Sequence, residues 1–211
     1  MADPDLRALI AVLAQQVSAR LHVPLRPLRV ERAPGAYVAC TTLTWPPDPG
    51  IVRLSHDVAA VPGLLAHELT HALVPTSWLF FAEGLATWMG CEVTGSCADY
   101  SFVEGDPDQV VAHFRAELPP LAALMHESTR HAVLLAPESV HRLEVRLAHV
   151  LAASFLRWFC TRYPELPARV GVRSCMKPDH ELERLAGHSL AELESKWQRH
   201  VHAGAPSTVF A

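Results

Sequence analysis

The chain has 211 residues, half of them apolar, with a net charge of −4 at pH 7 when its 13 histidines are neutral. That is ample for a core, and lysine is too scarce and arginine too scattered for a nucleic-acid or anionic-membrane surface, so neither partner is expected. No stretch is long and apolar enough to span a bilayer, and the acidic start lacks the basic region of a signal peptide, so a cytoplasmic protein is expected.

Residues 4–20 read as a helix. Asp3 can cap it, Pro4 fits its first turn, and Leu6, Leu9, Ile10, Leu13 and Val17 make one apolar face. Pro24 and Pro27 make Leu21–Val30 extended or an edge strand. Tyr37–Leu43 and Ile51–Ser55 read as strands on either side of the turn Trp45–Gly50. Then comes Pro62-Gly63-Leu64-Leu65-Ala66-His67-Glu68-Leu69-Thr70-His71, a helical run with a Pro/Gly start that contains the pattern HExxH. Positions i and i+4 of a helix share one face, so His67 and His71 can present two imidazole nitrogens to one metal ion, with Glu68 beside them as a base. After a turn at Pro75–Ser77 a second helical run carries Glu83, the candidate third ligand. Gly84 and Ala86 flank it, small enough to let two helices approach.

Beyond residue 90 the chain reads as mainly helical. Helices are expected at Val110–Leu118, Leu121–Glu127 and Ser139–Tyr163, the last ended by Pro164 and Pro167. Arg169–Pro178 reads as a linker, and short helices follow at Asp179–Ala186 and from Ser189 to about Val201. Ser189-Leu190-Ala191-Glu192 is a capping box. The five cysteines are widely spaced and contain no CxxC, so free thiols are expected, although Cys91 and Cys97 are near enough in sequence to bridge. Trp78, Phe80, Phe81 and Trp88 are expected to pack around the glutamate helix rather than to line a substrate box.

The stretch His67–Trp88 resembles the gluzincin metallopeptidases, and more narrowly the peptidase MA-like domains. Their pattern runs HELxH, a short linker, an aromatic residue and EGLA, matched here by Phe80 and by Glu83-Gly84-Leu85-Ala86. The tail from Gly187 to Trp197 is similar to the end of those domains. Thr87 stands where many of them have a glutamate that hydrogen-bonds a zinc histidine, a role a hydroxyl fills less strongly. The resemblance implies an α+β, zincin-like fold: a small N-terminal β-sheet with the HExxH helix and the glutamate helix, then a mainly helical C-terminal lobe. The chain would be one domain, with an α/β zinc-binding lobe at 1–90, a helical lobe at 91–203 and a tail at 204–211. One catalytic Zn2+ would sit on His67, His71 and Glu83. Glu68 would act as general base on a zinc-activated water, and the substrate would be a peptide or protein. An edge strand, Ile51–Ser55 or Tyr37–Leu43, would pair with an extended substrate. The long helix would offer His149 as oxyanion donor, with His141, His131, Tyr100 and Tyr163 as alternatives. A zinc-binding regulatory domain without turnover, or a toxin-like protease with one intracellular target, would share much of this pattern.

Overall fold

The computed structural model describes residues 4–32, 39–54, 61–98, 104–114, 119–125, 143–172 and 177–204. The first helix, α1 (Pro4–Leu21), buries Leu6, Ile10, Leu13 and Val17, the stripe expected of it, against the helix that carries HExxH. Asp3, its expected cap, lies outside the described residues.

Three short strands follow: β1 (Leu28–Arg32), β2 (Ala39–Thr42) and β3 (Gly50–Leu54). Their order is β1-β3-β2, with β1 parallel and β2 antiparallel to β3. The central strand is therefore β3, which excludes Ile51–Ser55 as an edge and leaves β2 as the edge strand of that pair. Side chains alternate in β3, so Val52 and Leu54 are buried while Arg53 lies on the other face. There Arg53 reaches Glu31 at 3.0 Å and donates to Thr42 Oγ1 at 2.7 Å. These partly exposed pairs add little stability, about 0–1 kcal/mol each, and mainly fix the register.

The two helices that follow are α2 (Pro62–Leu73) and α3 (Leu79–Thr94). Pro62 occupies the first turn of α2, where its missing N–H costs nothing. Gly95 closes α3 in the left-handed region at φ 73°, a conformation glycine adopts without strain. The chain turns back there, and Cys91 and Cys97 come to 4.9 Å between Cα atoms and form a disulfide. This pair corrects the expectation of free thiols. Cys160 is buried and free. Among the described residues no helix is long and apolar enough to cross a membrane.

The remaining helices are α4 (Pro107–His113), α5 (Leu121–Met125), α6 (Leu143–Cys160), α7 (Leu166–Val170), α8 (Pro178–Ala186) and α9 (Leu190–Gly204). Two differences from the sequence reading have local causes. Asp106 caps α4 through a capping box with Gln109, so that helix starts at Pro107 and not at Val110. Pro167, expected only to end a helix, occupies the first turn of α7. The Ser189–Glu192 capping box forms as read, with the Ser189 N–H donating to Glu192 Oε2 at 2.8 Å. A buried polar chain locks the C-terminal elements to α6. Trp197 Nε1 donates to Ser154 Oγ at 3.0 Å, and Ser154 Oγ donates to Asp108 Oδ1 at 2.6 Å.

Phe80, Phe81, Trp88, Phe155 and Phe159 are buried in one apolar cluster that runs from Leu6 to Val201. Burying each such side chain is worth about 1.5–3 kcal/mol. The expectation of core packing therefore holds for Phe80, Phe81 and Trp88, while Trp78 is half-buried against the cluster.

The close helix approach differs from the sequence reading. A Cβ on Gly84 would lie 2.7 Å from Leu156 Cδ1, 2.9 Å from Ala152 Cβ and 3.1 Å from the Ala152 backbone. Gly84 thus admits α6, not α2. The α2–α3 approach is made instead at Gly63, whose Cβ would meet Thr94 Cγ2 at 2.7 Å and Gly90 O at 3.3 Å. Gly84→Ala should therefore destabilise the protein. Because one of the close atoms is backbone, overpacking should cost about 3 kcal/mol, the top of the usual range, against a helix-propensity gain of about 1 kcal/mol, so urea unfolding should show a net loss of about 2 kcal/mol. An unchanged or higher midpoint would refute this account of the α3–α6 contact.

Candidate metal centre

Helix α2 buries Leu65, Ala66, Leu69, Ala72 and Leu73, and this apolar face fixes its rotation. His67 and His71 lie on the opposite side of the helix, turned toward α3 and Glu83. The buried Thr70 hydroxyl is satisfied within the helix, donating to Ala66 O at 2.7 Å. Arg26 anchors the last turn by donating to Ala72 O at 3.2 Å and to Thr44 O at 3.0 Å, a cation at the helix end where the backbone dipole favours one. The connection 74–78 then reverses the chain. Gly63 faces Gly90 and Thr94 while His67 and His71 face Glu83, so α2 and α3 run antiparallel.

The three expected ligands converge. His67 Nε2 and His71 Nε2 are 3.1 Å apart, His67 Nε2 is 3.4 Å from Glu83 Oε2, and His71 Nε2 is 3.6 Å from Glu83 Oε1. All three side chains are largely covered, with 11%, 17% and 16% of their surfaces exposed. Lone pairs of two imidazoles and a carboxylate aimed at one point repel unless a proton or a cation lies between them. The group can hold a metal ion, and it is the one such group among the described residues.

The electrostatics follow from burial and charge. Burial pushes the Glu83 carboxyl up, but His71, His67 and His149 outweigh it and hold the group well below the usual carboxylate range. For His67 burial lowers the pKa, yet the hydrogen bond and charge of Glu83, with Glu68, raise it overall. For His71 burial dominates and lowers it, assisted by the neighbouring His67.

Glu68 is buried beside the triad but is not part of it. Its carboxylate Oε2 lies 2.7 Å from the Thr41 hydroxyl on β2, and the same hydroxyl is 2.9 Å from Glu68 O. A hydroxyl has one proton, so it donates to one of these acceptors at a time. The sequence reading missed Thr41, because one threonine in a four-residue strand carries no signal of its own.

His149 sits on α6, three residues before Ala152 and so on the face that meets Gly84. Its charge reaches Glu83, which places it at this site although outside the donor triad. Tyr163 is not brought there: it follows the C-terminal end of α6 and packs in a tilted pair with Phe159, 4.5 Å between ring centroids. Tyr100, His131 and His141 lie outside the described residues. Thr87 departs from the expectation drawn from the resemblance. Its hydroxyl is buried without a hydrogen-bond partner among the described residues. A threonine carries its oxygen two bonds short of a glutamate's, which costs it the reach to a histidine on α2.

Compared with protein-family models, curated proteins and solved structures, the chain matches none.

Elemental mass spectrometry on purified protein should find about one metal ion per chain, and Glu83→Ala should lose it. The loss in affinity should exceed the roughly 100-fold that outer-sphere changes cost. Retention of a full equivalent in the variant would remove Glu83 from the ligand set. Metal uptake should also depend on pH through His67. Its metal-free pKa lies above the ordinary 6.5, and only the neutral ring binds metal. Apparent affinity should hold steady above that raised pKa and fall as pH drops through it, as read by competition with a chromophoric chelator. Glu83 stays ionised over the same window and adds no slope there. Affinity that rose on acidification would contradict this.

Proposed function

We propose that this chain is a zinc-dependent metallopeptidase of the gluzincin type, with Glu68 as the general base. One observation carries the reading: two imidazole nitrogens and one carboxylate converge from antiparallel helices, and a second carboxylate stands beside them outside the donor set. Two histidines and a glutamate are a catalytic zinc set, whereas a structural zinc takes four protein ligands. The spacing suits zinc. Bonds of about 2.0–2.1 Å at tetrahedral angles put donors about 3.3 Å apart. Here the two imidazole nitrogens are 3.1 Å apart, and they lie 3.4 and 3.6 Å from the two different oxygens of the Glu83 carboxylate.

Zinc at this position would supply the Lewis acidity that lets water attack a carbonyl at neutral pH. Glu68 takes the proton from that water and hands it to the departing amine. Its carboxylate keeps a second oxygen for this task while Oε2 is held by Thr41. The edge strand β2 lies on the Glu68 side of α2, where it can accept an extended peptide by strand addition. His149, within electrostatic reach of Glu83, is the donor we assign to the oxyanion. The substrate is a peptide or protein in an extended conformation at the bond to be cut.

Glu68→Gln is the test. The variant should keep its zinc and lose about 10²–10⁴-fold of its turnover, measured on fluorogenic casein against chelator-treated and zinc-restored wild type. Equal activity in wild type and variant would overturn the general-base assignment. Equal activity with and without zinc would overturn the metallopeptidase reading.

A further inference from the structure

The geometry points to Thr41 as a positioning residue that aims the Glu68 carboxylate; this inference deepens the peptidase reading and rests on it. Three observations combine. First, the hydroxyl makes two contacts to one residue, 2.7 Å to Glu68 Oε2 and 2.9 Å to Glu68 O. Its one proton serves one acceptor at a time, and the shorter contact, to the carboxylate Oε2, is the one that aims the side chain. A glutamate has three side-chain torsions and considerable rotamer freedom. A donor fixed on a neighbouring strand at 2.7 Å from Oε2 restricts that freedom. Second, the donor comes from a strand and not from the helix. Within α2 the neighbouring hydroxyl, Thr70, is spent on Ala66 O, so α2 does not itself supply the restraint through that residue. Third, Thr41 is built into the register of β2: it pairs with Val52 of the central strand, between Cys40↔Arg53 and Thr42↔Ile51. The next residue, Thr42, is held by Arg53 at 2.7 Å. The donor that aims the base thus belongs to the strand that would receive an extended substrate. A peptide seated along β2 stiffens that strand, and the aim of Glu68 is stiffened with it.

The chemistry gives Thr41 no bond to make or break. Its contribution is orientation, for which displacement by 1 Å can cost on the order of 10²-fold. Its removal should therefore lower kcat and leave both substrate affinity and zinc content in place.

The experiment compares Thr41→Val, which keeps the β-branched shape, with Thr41→Ser, which keeps the hydroxyl. Two readouts are taken on each. The first is the side-chain carboxyl ¹³C resonance of Glu68 in zinc-free protein, identified by its disappearance in Glu68→Gln. The second is the kcat and KM of the zinc-loaded protein on fluorogenic casein, with circular dichroism to verify folding. The expected result is a displaced Glu68 signal in Thr41→Val and a wild-type signal in Thr41→Ser. With it go a kcat reduced about 10–100-fold in the valine variant at unchanged KM, and recovery of kcat in the serine variant. An unmoved Glu68 signal in folded Thr41→Val overturns the proposal, as does a loss that falls on KM or on zinc content. Equal impairment of the serine variant overturns it too, since a packing role would not be rescued by a hydroxyl. If zinc-loaded wild type cleaves nothing, the peptidase reading fails by itself, and the carboxyl resonance still decides whether Thr41 holds Glu68.

Discussion

The site depends on the burial of a carboxylate against two imidazoles. Desolvating Glu83 would by itself drive it towards the neutral acid, and the positive partners around it reverse that. The cost of dehydrating such a group is several kcal/mol and is recovered only where charge and geometry match closely. The surroundings are arranged accordingly. Gly63 lets α2 close on α3, and the 74–78 turn sets the helices antiparallel. The apolar faces of both helices hold this alignment by burial. Such a donor set can hold a metal ion.

Around this pair the fold is layered. The small sheet and α1 cover α2 on one side, and α6 covers α3 on the other. Adjacent residues of α3 serve different neighbours: Glu83 faces the histidines of α2 and Gly84 faces Ala152 and Leu156 of α6. The same α3–α6 contact brings His149 alongside. The Trp197–Ser154–Asp108 chain, closed by His200 at 3.4 Å from Asp108, then ties α9 and α4 to the back of α6. Hydrogen-bonded polar groups in this position specify one arrangement of helices more sharply than apolar contact alone.

Much of the centre was legible in the sequence because its logic is local. His67 and His71 share a helix face by spacing alone, and Glu83 is marked by its own helical run. The small strands, α1 and the capping box at Ser189 were legible for the same reason. What was not legible is what depends on pairs distant in sequence. Gly84 reads as a spacer for α2 until α6 is seen against it. Thr41 is an ordinary strand residue until β2 is laid beside α2. Which strand is central follows from a parallel pairing of β1 with β3 that periodicity does not encode. The Cys91–Cys97 bond depends on the left-handed turn at Gly95, and the sequence left open whether that turn would form.

The α2–turn–α3 hairpin has a consequence for the order in which the molecule is made. All three donor residues fall on two consecutive helices, His67 and His71 on one and Glu83 on the next. A loop this short closes at small entropic cost. A ribosome therefore completes the whole ligand set before it begins α6, and the contacts that fix the set first, between α2 and α3, are of low sequence separation and form quickly. The helix bearing His149 and the C-terminal elements are made only after that hairpin. The donor set is thus encoded entirely in the N-terminal half of the chain, and only the wall around it waits for the C-terminal half.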